Sequence, residues 1–199
     1  MTDELDNDRK RNSKKPSQRN LIGSTLINPK KLEVAAFHYL QRFSTSAENL
    51  RRILMRRVLR SAHHYNTDVG EATEWVDEVV VKMQERGFVN DRVFAEGRVH
   101  SLLGRGIPLR GIRLQLRKKG VDDDIIDDVL RSAEDDAGDI NFVAAIVLAK
   151  RRRLGPFSTK PNGLKKREKD IASLARAGFD IDTARRIIDA KTPEDLEVK

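Results

Sequence analysis

Hydrophobic residues recur at spacings of three and four positions from Leu32 onward, which is the spacing of one face of an α-helix. Runs that alternate apolar and polar residues, as half-buried strands do, are scarce, and aromatic residues make up only 5% of the chain. The pattern therefore predicts an all-α protein. It predicts helices near residues 32–40, 46–58, 73–86, 91–103, 108–119, 122–130, 139–153, 164–177 and 181–189.

Residues that commonly begin and end helices lie between these apolar stripes. We expect one of the residues in Ser44–Ser46 to cap the second helix and Thr73 to cap the third, which Gly87 then ends. The segment between the second and third helices, HHYNTDVGEA (63–72), is interpreted as a loop or a frayed helix end.

One joint between helices occurs twice in the sequence. The segment LRKKGVDDDIIDDVL (116–130) aligns with LARAGFDIDTARRII (174–188), so that Gly120 matches Gly178 and Asp122 matches Asp180. Each copy reads as a helix end, a glycine, an apolar residue and an aspartate N-cap. Both glycines are predicted to have positive φ, and the repetition predicts tandem three-helix, helix-turn-helix-like repeats in an elongated, curved stack.

This repeat divides the chain into four predicted parts. Residues 1–31 lack periodicity and are expected to form a disordered basic tail. Three-helix repeats are then expected over residues 32–89, 90–134 and 135–199, the last with a short C-terminal tail.

Composition narrows the possible functions. The 199 residues carry a formal net charge of +8 and include no cysteine, which excludes disulfides, thiolate zinc sites and a cysteine nucleophile. The N-terminus has no secretory h-region, and no run approaches the roughly 18 apolar residues of a membrane span. We expect a cytoplasmic monomer with no membrane contact, and the positive charge favours an anionic partner such as nucleic acid.

The segment GRGIPLRGIRLQLRKKGVDDD (104–124) contains the best candidates for specific chemistry. It is a poor phosphate-binding loop, because a P-loop needs a preceding strand and a Lys-Ser/Thr pair entering a helix. Asp122–Asp124 could crowd a metal ion, but a helix N-terminus favours aspartates without one. The adjacent His63 and His64 point about 100° apart on a helix and suit one metal badly. No nucleophile–base pattern is present, so we predict neither an enzyme nor a cofactor.

Basic residues on three different repeats are the remaining candidates. Arg110, Arg113 and Arg117 recur at spacings of three and four, so they share a helix face. The alternative is an ordinary solvated face whose charge is neutralised by aspartates in the segment 122–128. The candidate binding residues for DNA or a DNA–protein filament are Arg51, Arg52, Arg56, Arg105, Arg110, Arg113, Arg117, Lys118, Arg151 and Arg152.

These segments resemble the RecX family of bacterial regulatory proteins over residues 32 to 190. The similarity lies, in order, in AAFHYLQRFSTSAENLRRIL (35–54), NDRVFAEGRVHSLLGRGIPLRGIRLQLRKKGVDDDIIDDVL (90–130), KRRRLGPF (150–157) and REKDIASLARAGFDIDTARRII (167–188). The resemblance implies tandem three-helix units. It also implies binding in the groove of the RecA–single-stranded DNA filament. Such binding would down-regulate three activities of the filament, namely recombination, ATP hydrolysis and repressor co-cleavage. The resemblance implies no catalytic residues in the chain itself.

Two other functions are compatible with the same residues. PLRGIRLQLRKKG (108–120) could act as the recognition helix of a helix-turn-helix DNA-binding protein with no recombinase partner. That helix lacks the Asn and Ser side chains that often join arginine in reading bases, and no dimerisation segment is visible. A pure protein adaptor is the third possibility.

Overall fold

The structure is a computed structural model that describes residues 26–159 and 163–196. In this part of the chain nine α-helices and two short 3₁₀ turns alternate with brief loops, and no strand occurs, which confirms the predicted all-α fold. The helices are α1 (Pro29–Leu40), α2 (Ala47–Tyr65), α3 (Val69–Glu85), α4 (Asp91–Leu103), α5 (Leu109–Lys118), α6 (Asp123–Ala137), α7 (Ile140–Arg152), α8 (Leu164–Ala177) and α9 (Ile181–Ile188).

The helices form three successive units, and each unit buries its own hydrophobic cluster. Leu32, Leu54 and Val76 lie at the centre of the first unit, which comprises α1–α3. Ile112 and Leu116 lie in the cluster of the second unit, α4–α6. The third unit, α7–α9, buries a separate set that includes Leu148, Leu174, Ile187 and Ile188.

The elements differ in detail from the proposed limits of the repeats. Helix α1 begins at Pro29, so its first three residues, 29–31, fall within the predicted tail, and residues 1–25 of that tail lie outside the described residues. Helix α6 continues to Ala137, beyond the proposed end of the second repeat at residue 134. The first residue of α7, Ile140, packs in the cluster of the second unit, so adjacent units share apolar contacts at their border.

Side-chain caps and left-handed glycines fix the helix ends. The Ser46 hydroxyl accepts the N–H of Asn49, and the carboxylates of Asp122 and Asp180 accept N–H groups at the starts of α6 and α9. Gly120 has φ +75° and Gly178 has φ +116°, which confirms the prediction of positive φ at both helix ends. Glycine is favoured there because a Cβ opposes this backbone conformation.

The prediction that Thr73 caps the third helix is wrong. Helix α3 begins at Val69, because the Asp68 carboxylate accepts the N–H groups of Gly70 and Glu71 at 2.7 and 3.1 Å. The Thr73 hydroxyl lies inside the helix and donates to the Val69 carbonyl. Most of the segment interpreted as a loop is therefore helical, and only residues 66–68 separate α2 from α3.

Neighbouring units are joined by a polar contact that occurs twice. The backbone N–H of Ala47, the first residue of α2, donates to Asp91 Oδ1 in the first turn of α4 at 2.8 Å. The N–H of Leu109, the first residue of α5, donates in the same way to Asn141 Oδ1 in the first turn of α7 at 3.2 Å. Each joint thus satisfies an N–H group that a helix start leaves without an intrahelical partner.

Close contacts at glycines complete both joints. A Cβ on Gly120, after α5, would lie 2.3 Å from Glu48 Cγ in the first turn of α2. A Cβ on Gly178, after α8, would lie 2.4 Å from Arg110 Nε in the first turn of α5. The C-terminal end of each middle helix therefore meets the N-terminal end of the preceding unit's middle helix, and α8, α5 and α2 follow one another head to tail.

A third glycine brings α4 and α7 together. Gly106 has φ +70°, and a Cβ there would lie 2.7 Å from the backbone nitrogen of Leu148 and 3.0 Å from the carbonyl oxygen of Ala144. Because these neighbours are backbone atoms inside a helix, they cannot move aside as a side chain can. Gly106 thereby sets how closely the second and third units pack.

Substitution of two of these glycines by alanine tests the contacts between the units. We expect Gly178→Ala to lower the free energy of unfolding by about 1 kcal/mol, since the positive φ is strained while the tip of Arg110 can move away. Gly106→Ala adds a clash with the α7 backbone and should cost about 2–4 kcal/mol. Urea unfolding followed by circular dichroism measures both values, and equal losses would contradict a backbone contact at Gly106.

The joint between the first two units should respond to pH. Burial raises the pKa of the Asp91 carboxyl above its usual value, against the opposing effect of the Ala47 N–H. A raised folded-state pKa means that the folded chain gains stability as pH falls through that pKa. Asp91→Asn keeps the acceptor and removes the titration. The stability of the variant relative to the parent should therefore be higher at about pH 7 than at about pH 4 in urea unfolding, and a pH-independent difference would contradict the burial.

Candidate nucleic-acid interface

The ten candidate cations are distributed over all three units. Arg51, Arg52 and Arg56 lie on α2, and Arg151 and Arg152 lie at the end of α7. The middle unit has Arg105 in the loop before α5, and on α5 itself it has Arg110, Arg113, Arg117 and Lys118. The structure separates this set into residues that hydrogen-bond within the protein and residues whose side chains have no such partner among the described residues.

Two of the α5 arginines are paired with α6. Arg113 donates to Asp127, and Arg117 Nε donates to Asp123 Oδ1 at 2.6 Å. The hydrogen bond and the charge of Arg113 lower the pKa of the Asp127 carboxyl, and Asp123 raises the pKa of Arg117. These two ion pairs are of the kind that the alternative of a neutralised basic face requires.

Two arginines of α2 are also engaged within the protein. Arg51 Nε donates to Asp77 Oδ1 on α3 at 2.5 Å. Arg52 donates to Glu48 at 2.8 Å and, through Nη1, to the carbonyl oxygen of Lys118 at 2.8 Å, which links the first two units. These side chains position α2 against α3 and against the end of α5.

The α7 arginines have similar structural contacts in the third unit. Arg151 Nη1 donates to the carbonyl oxygen of Arg105 at 2.7 Å, so it joins the second and third units. Arg152 Nη1 donates to the carbonyl and hydroxyl oxygens of Ser173 on α8, at 3.2 and 3.0 Å. Both arginines remain exposed, so each can still contact a partner through its other N–H groups.

Four of the predicted cations are exposed and have no side-chain hydrogen bond or ion pair with another described residue. They are Arg56, Arg105, Arg110 and Lys118. The Arg110 guanidinium lies against Gly178, so it combines a packing contact with an exposed charge. These four residues are the members of the candidate set that are most available to an anion.

A group of cations on α8 was not among the candidate residues. Lys165, Lys169 and Arg176 are exposed, and within the described part of the chain their side chains have no ion-pair partner. The four-residue spacing of the two lysines was visible in the sequence. Their significance depends on α8 occupying the same position in its unit as α2 and α5, which only the joints reveal.

The head-to-tail arrangement collects positive charge along the middle helices. Helix α2 has five cations and one acid, α5 has four cations and no acid, and α8 has five cations and two acids, a net charge of +11. Acids on other elements pair with four of these cations, namely Arg51, Arg113, Arg117 and Arg167. The whole chain carries only +8. Helix α6 has the opposite character, with seven acids and one cation. The exposed cations of the middle helices that lack a carboxylate partner therefore favour an extended anion, and the acids of α6 disfavour one.

Two further features are absent from the described part of the chain. No group of three or more His, Cys, Asp or Glu side chains there comes close enough to hold a metal ion. None of the helices in residues 26–159 and 163–196 is both long and apolar enough to cross a membrane.

Known proteins resemble this chain in both sequence and fold. Residues 90–130 match the family described as "RecX, second three-helix domain". A "Regulatory protein RecX" of Myxococcus xanthus (strain DK1622) is 38% identical over 165 residues, which cover 82% of this chain and 87% of that protein. The chain belongs to the RecX family. A second RecX, of Halorhodospira halophila (strain DSM 244 / SL1), is 30% identical and covers 74% of this chain and 83% of its own length.

A solved RecX structure extends the comparison to the fold. The crystal structure of RecX from Lactobacillus salivarius superposes with a TM-score of 0.60 at 24% identity and covers 82% of this chain and 96% of that chain. Its similarity supports the tandem three-helix architecture. The matched RecX relatives are named as regulatory proteins, and none of these names denotes an enzyme.

The ion pair of Arg113 predicts a pH-dependent effect on stability. Because Arg113 holds the folded-state pKa of Asp127 low, the pair stabilises the fold above the unfolded pKa of aspartate and loses this effect as pH falls through the folded pKa. Arg113→Gln should therefore lower Tm slightly at neutral pH, and the difference should shrink in acid. Its binding to single-stranded DNA should stay close to that of the parent.

The matched control is Arg110→Gln, which removes the same charge from the same helix. Arg110 has no carboxylate partner among the described residues. The difference in Tm between Arg110→Gln and the parent should therefore not depend on pH in the way expected for Arg113→Gln. Thermal melts at several pH values, run beside a DNA titration, measure both properties. A large loss of DNA binding in Arg113→Gln with unchanged Tm would contradict its structural role.

Proposed function

We propose that this RecX-family chain binds in the helical groove of a RecA-type recombinase filament on single-stranded DNA and lowers the activity of that filament. The activities reduced would be recombination, ATP hydrolysis and cleavage of the repressor. The proposal rests on the family to which the chain belongs and on one structural observation, the row of cations along α8, α5 and α2.

The row is suited to an extended phosphate backbone. Each unit provides exposed cations without a carboxylate partner among the described residues, with Arg56 in the first, Lys118 in the second and Lys169 in the third. A lysine or arginine that meets a phosphate releases condensed counterions, which favours binding at low salt. Because the cations lie on successive units, the chain contacts a strand at several separated points.

The acidic helix α6 favours a partner that contains protein as well as DNA. Its net charge would repel phosphates, so in a complex we expect α6 to face protein or solvent. A filament presents protein and DNA surfaces together, and a chain with separated basic and acidic helices can match both. Bare duplex DNA offers no partner for α6.

Binding to three ligands tests the proposal. The full chain is titrated against a RecA–single-stranded DNA filament, bare single-stranded DNA and duplex DNA at the same salt concentration. We expect the filament to bind most tightly and its ATP hydrolysis to fall as the chain is added. A preference for one duplex sequence would contradict the proposal and favour the helix-turn-helix alternative.

Two arginines of α2 provide a matched pair of variants. Arg56→Glu should weaken binding to the filament and to single-stranded DNA and should lower the salt slope by roughly one unit, because each phosphate contact on a single strand contributes a slope of about −0.7. It should leave Tm nearly unchanged. Arg51→Glu makes the same charge change one and a half turns away but breaks the pair with Asp77, so it should lower Tm.

The two variants separate binding from folding. If Arg51→Glu weakens DNA binding as much as Arg56→Glu does, only the total charge matters and the proposed row has no special role. If Arg56→Glu binds like the parent at every salt concentration, α2 is not part of the DNA-binding surface. Fluorescence anisotropy with labelled oligonucleotides and a thermal melt give the required measurements.

A further inference from the structure

The first unit exposes a pair of aromatic side chains that its core does not use. Phe37 on α1 is 41% exposed, and Phe88, just after α3, is 49% exposed. Their ring centroids lie 5.5 Å apart with the planes at 87°, an edge-to-face arrangement. Val34, one turn before Phe37, is 49% exposed, so the apolar surface is contiguous. A contiguous exposed apolar patch commonly marks a binding site.

These side chains line a groove between α1 and the end of α3. Its volume is about 540 Å³, within the range of roughly 300–1,000 Å³ that is typical of small-molecule sites. The buried side chain of Met83 lies at its floor, and the rest of the lining consists of Lys30, Glu33, Val34, Phe37, His38, Arg86 and Phe88. An edge-to-face pair leaves ring surface open to a further flat group.

The charges around the groove favour an anion. Glu33 is the single acid of the lining, and it accepts from Lys82 at 2.7 Å and from Arg86 at 3.0 Å. One carboxylate thus serves two cations, and those cations hold the pKa of Glu33 below its usual value, so it stays ionised. Lys30 adds a further positive charge, with no side-chain partner in the described part of the chain. The rim is therefore net positive around an aromatic wall.

We propose that the groove between α1 and α3 binds the unstacked bases of single-stranded nucleic acid, which stack on Phe37 and Phe88 while Lys30 and Arg86 contact the adjoining phosphates. This inference rests on the single-stranded DNA part of the proposed function and adds a site outside the cation row. Aromatic side chains next to cations are the usual means of holding single strands without sequence preference, because every base has a π-face.

Base stacking gives a signature that phosphate contacts lack. An abasic oligonucleotide keeps all its phosphates and loses the groups that stack. The parent chain should bind a thymidine oligonucleotide more tightly than an abasic one of equal length, by about five- to hundred-fold for each stacked base. The double variant Phe37→Ala, Phe88→Ala should bind both oligonucleotides alike, near the affinity of the parent for the abasic strand.

Control variants show whether the groove itself is responsible. Phe43→Ala removes the same side chain from the same unit at a residue that is 55% exposed and does not line the groove, so it should keep the preference for bases. Phe88→Trp retains an aromatic face and should also keep it. Circular dichroism and Tm confirm that each variant is folded. Loss of the preference in Phe43→Ala to the same extent would overturn the assignment to the groove.

The remaining outcomes distinguish this inference from the proposed function. If the parent binds the filament but does not discriminate abasic DNA, the base site is wrong and the proposed function stands. If the groove variants lose filament binding while the parent ignores abasic substitution, the groove binds protein and the inference is overturned. If the parent binds neither filament nor DNA, both proposals fail.

Discussion

The close approach of neighbouring units at positive-φ glycines is the constraint on which their arrangement depends. At Gly106 a Cβ would meet backbone atoms of α7, and at Gly120 and Gly178 it would meet side chains in the first turn of the preceding unit's middle helix. The hydrogen bonds from Ala47 to Asp91 and from Leu109 to Asn141 then fix the direction of approach. Small local features thus determine an arrangement that spans the chain.

This arrangement explains why the charge of a residue alone does not predict whether it belongs to the candidate nucleic-acid interface. Several arginines that appear equivalent in the sequence have different roles, because one joins α2 to α3, another links two units and a third pairs with an aspartate of α6. An arginine can satisfy backbone carbonyls and carboxylates within the fold as readily as it can bind phosphate. The positions that remain available follow from where the helices meet.

The sequence predicted those features that depend on short stretches of chain. The left-handed glycines and the aspartate caps were recognised because a helix end needs only a few neighbouring residues. Thr73 was mistaken for a cap because Asp68, five residues earlier, was the stronger acceptor and extended α3. The pairing of Arg113 with Asp127 could be stated only as an alternative, since it depends on the rotation of α5 against α6. Phe37 and Phe88 were not associated because they are distant in sequence and meet only through the packing of α1 on α3.

The two joints use the same parts, namely the first turn of one middle helix, the glycine that follows the next middle helix, and the first turn of the next unit's first helix. A contact of this kind has polarity, because its two sides differ, and each unit presents one side at each end. Units of this type can therefore be joined only in one direction. The assembled chain has a distinct leading and trailing end, so the proposed complex with a strand that has a 5′ and a 3′ end would have two different orientations.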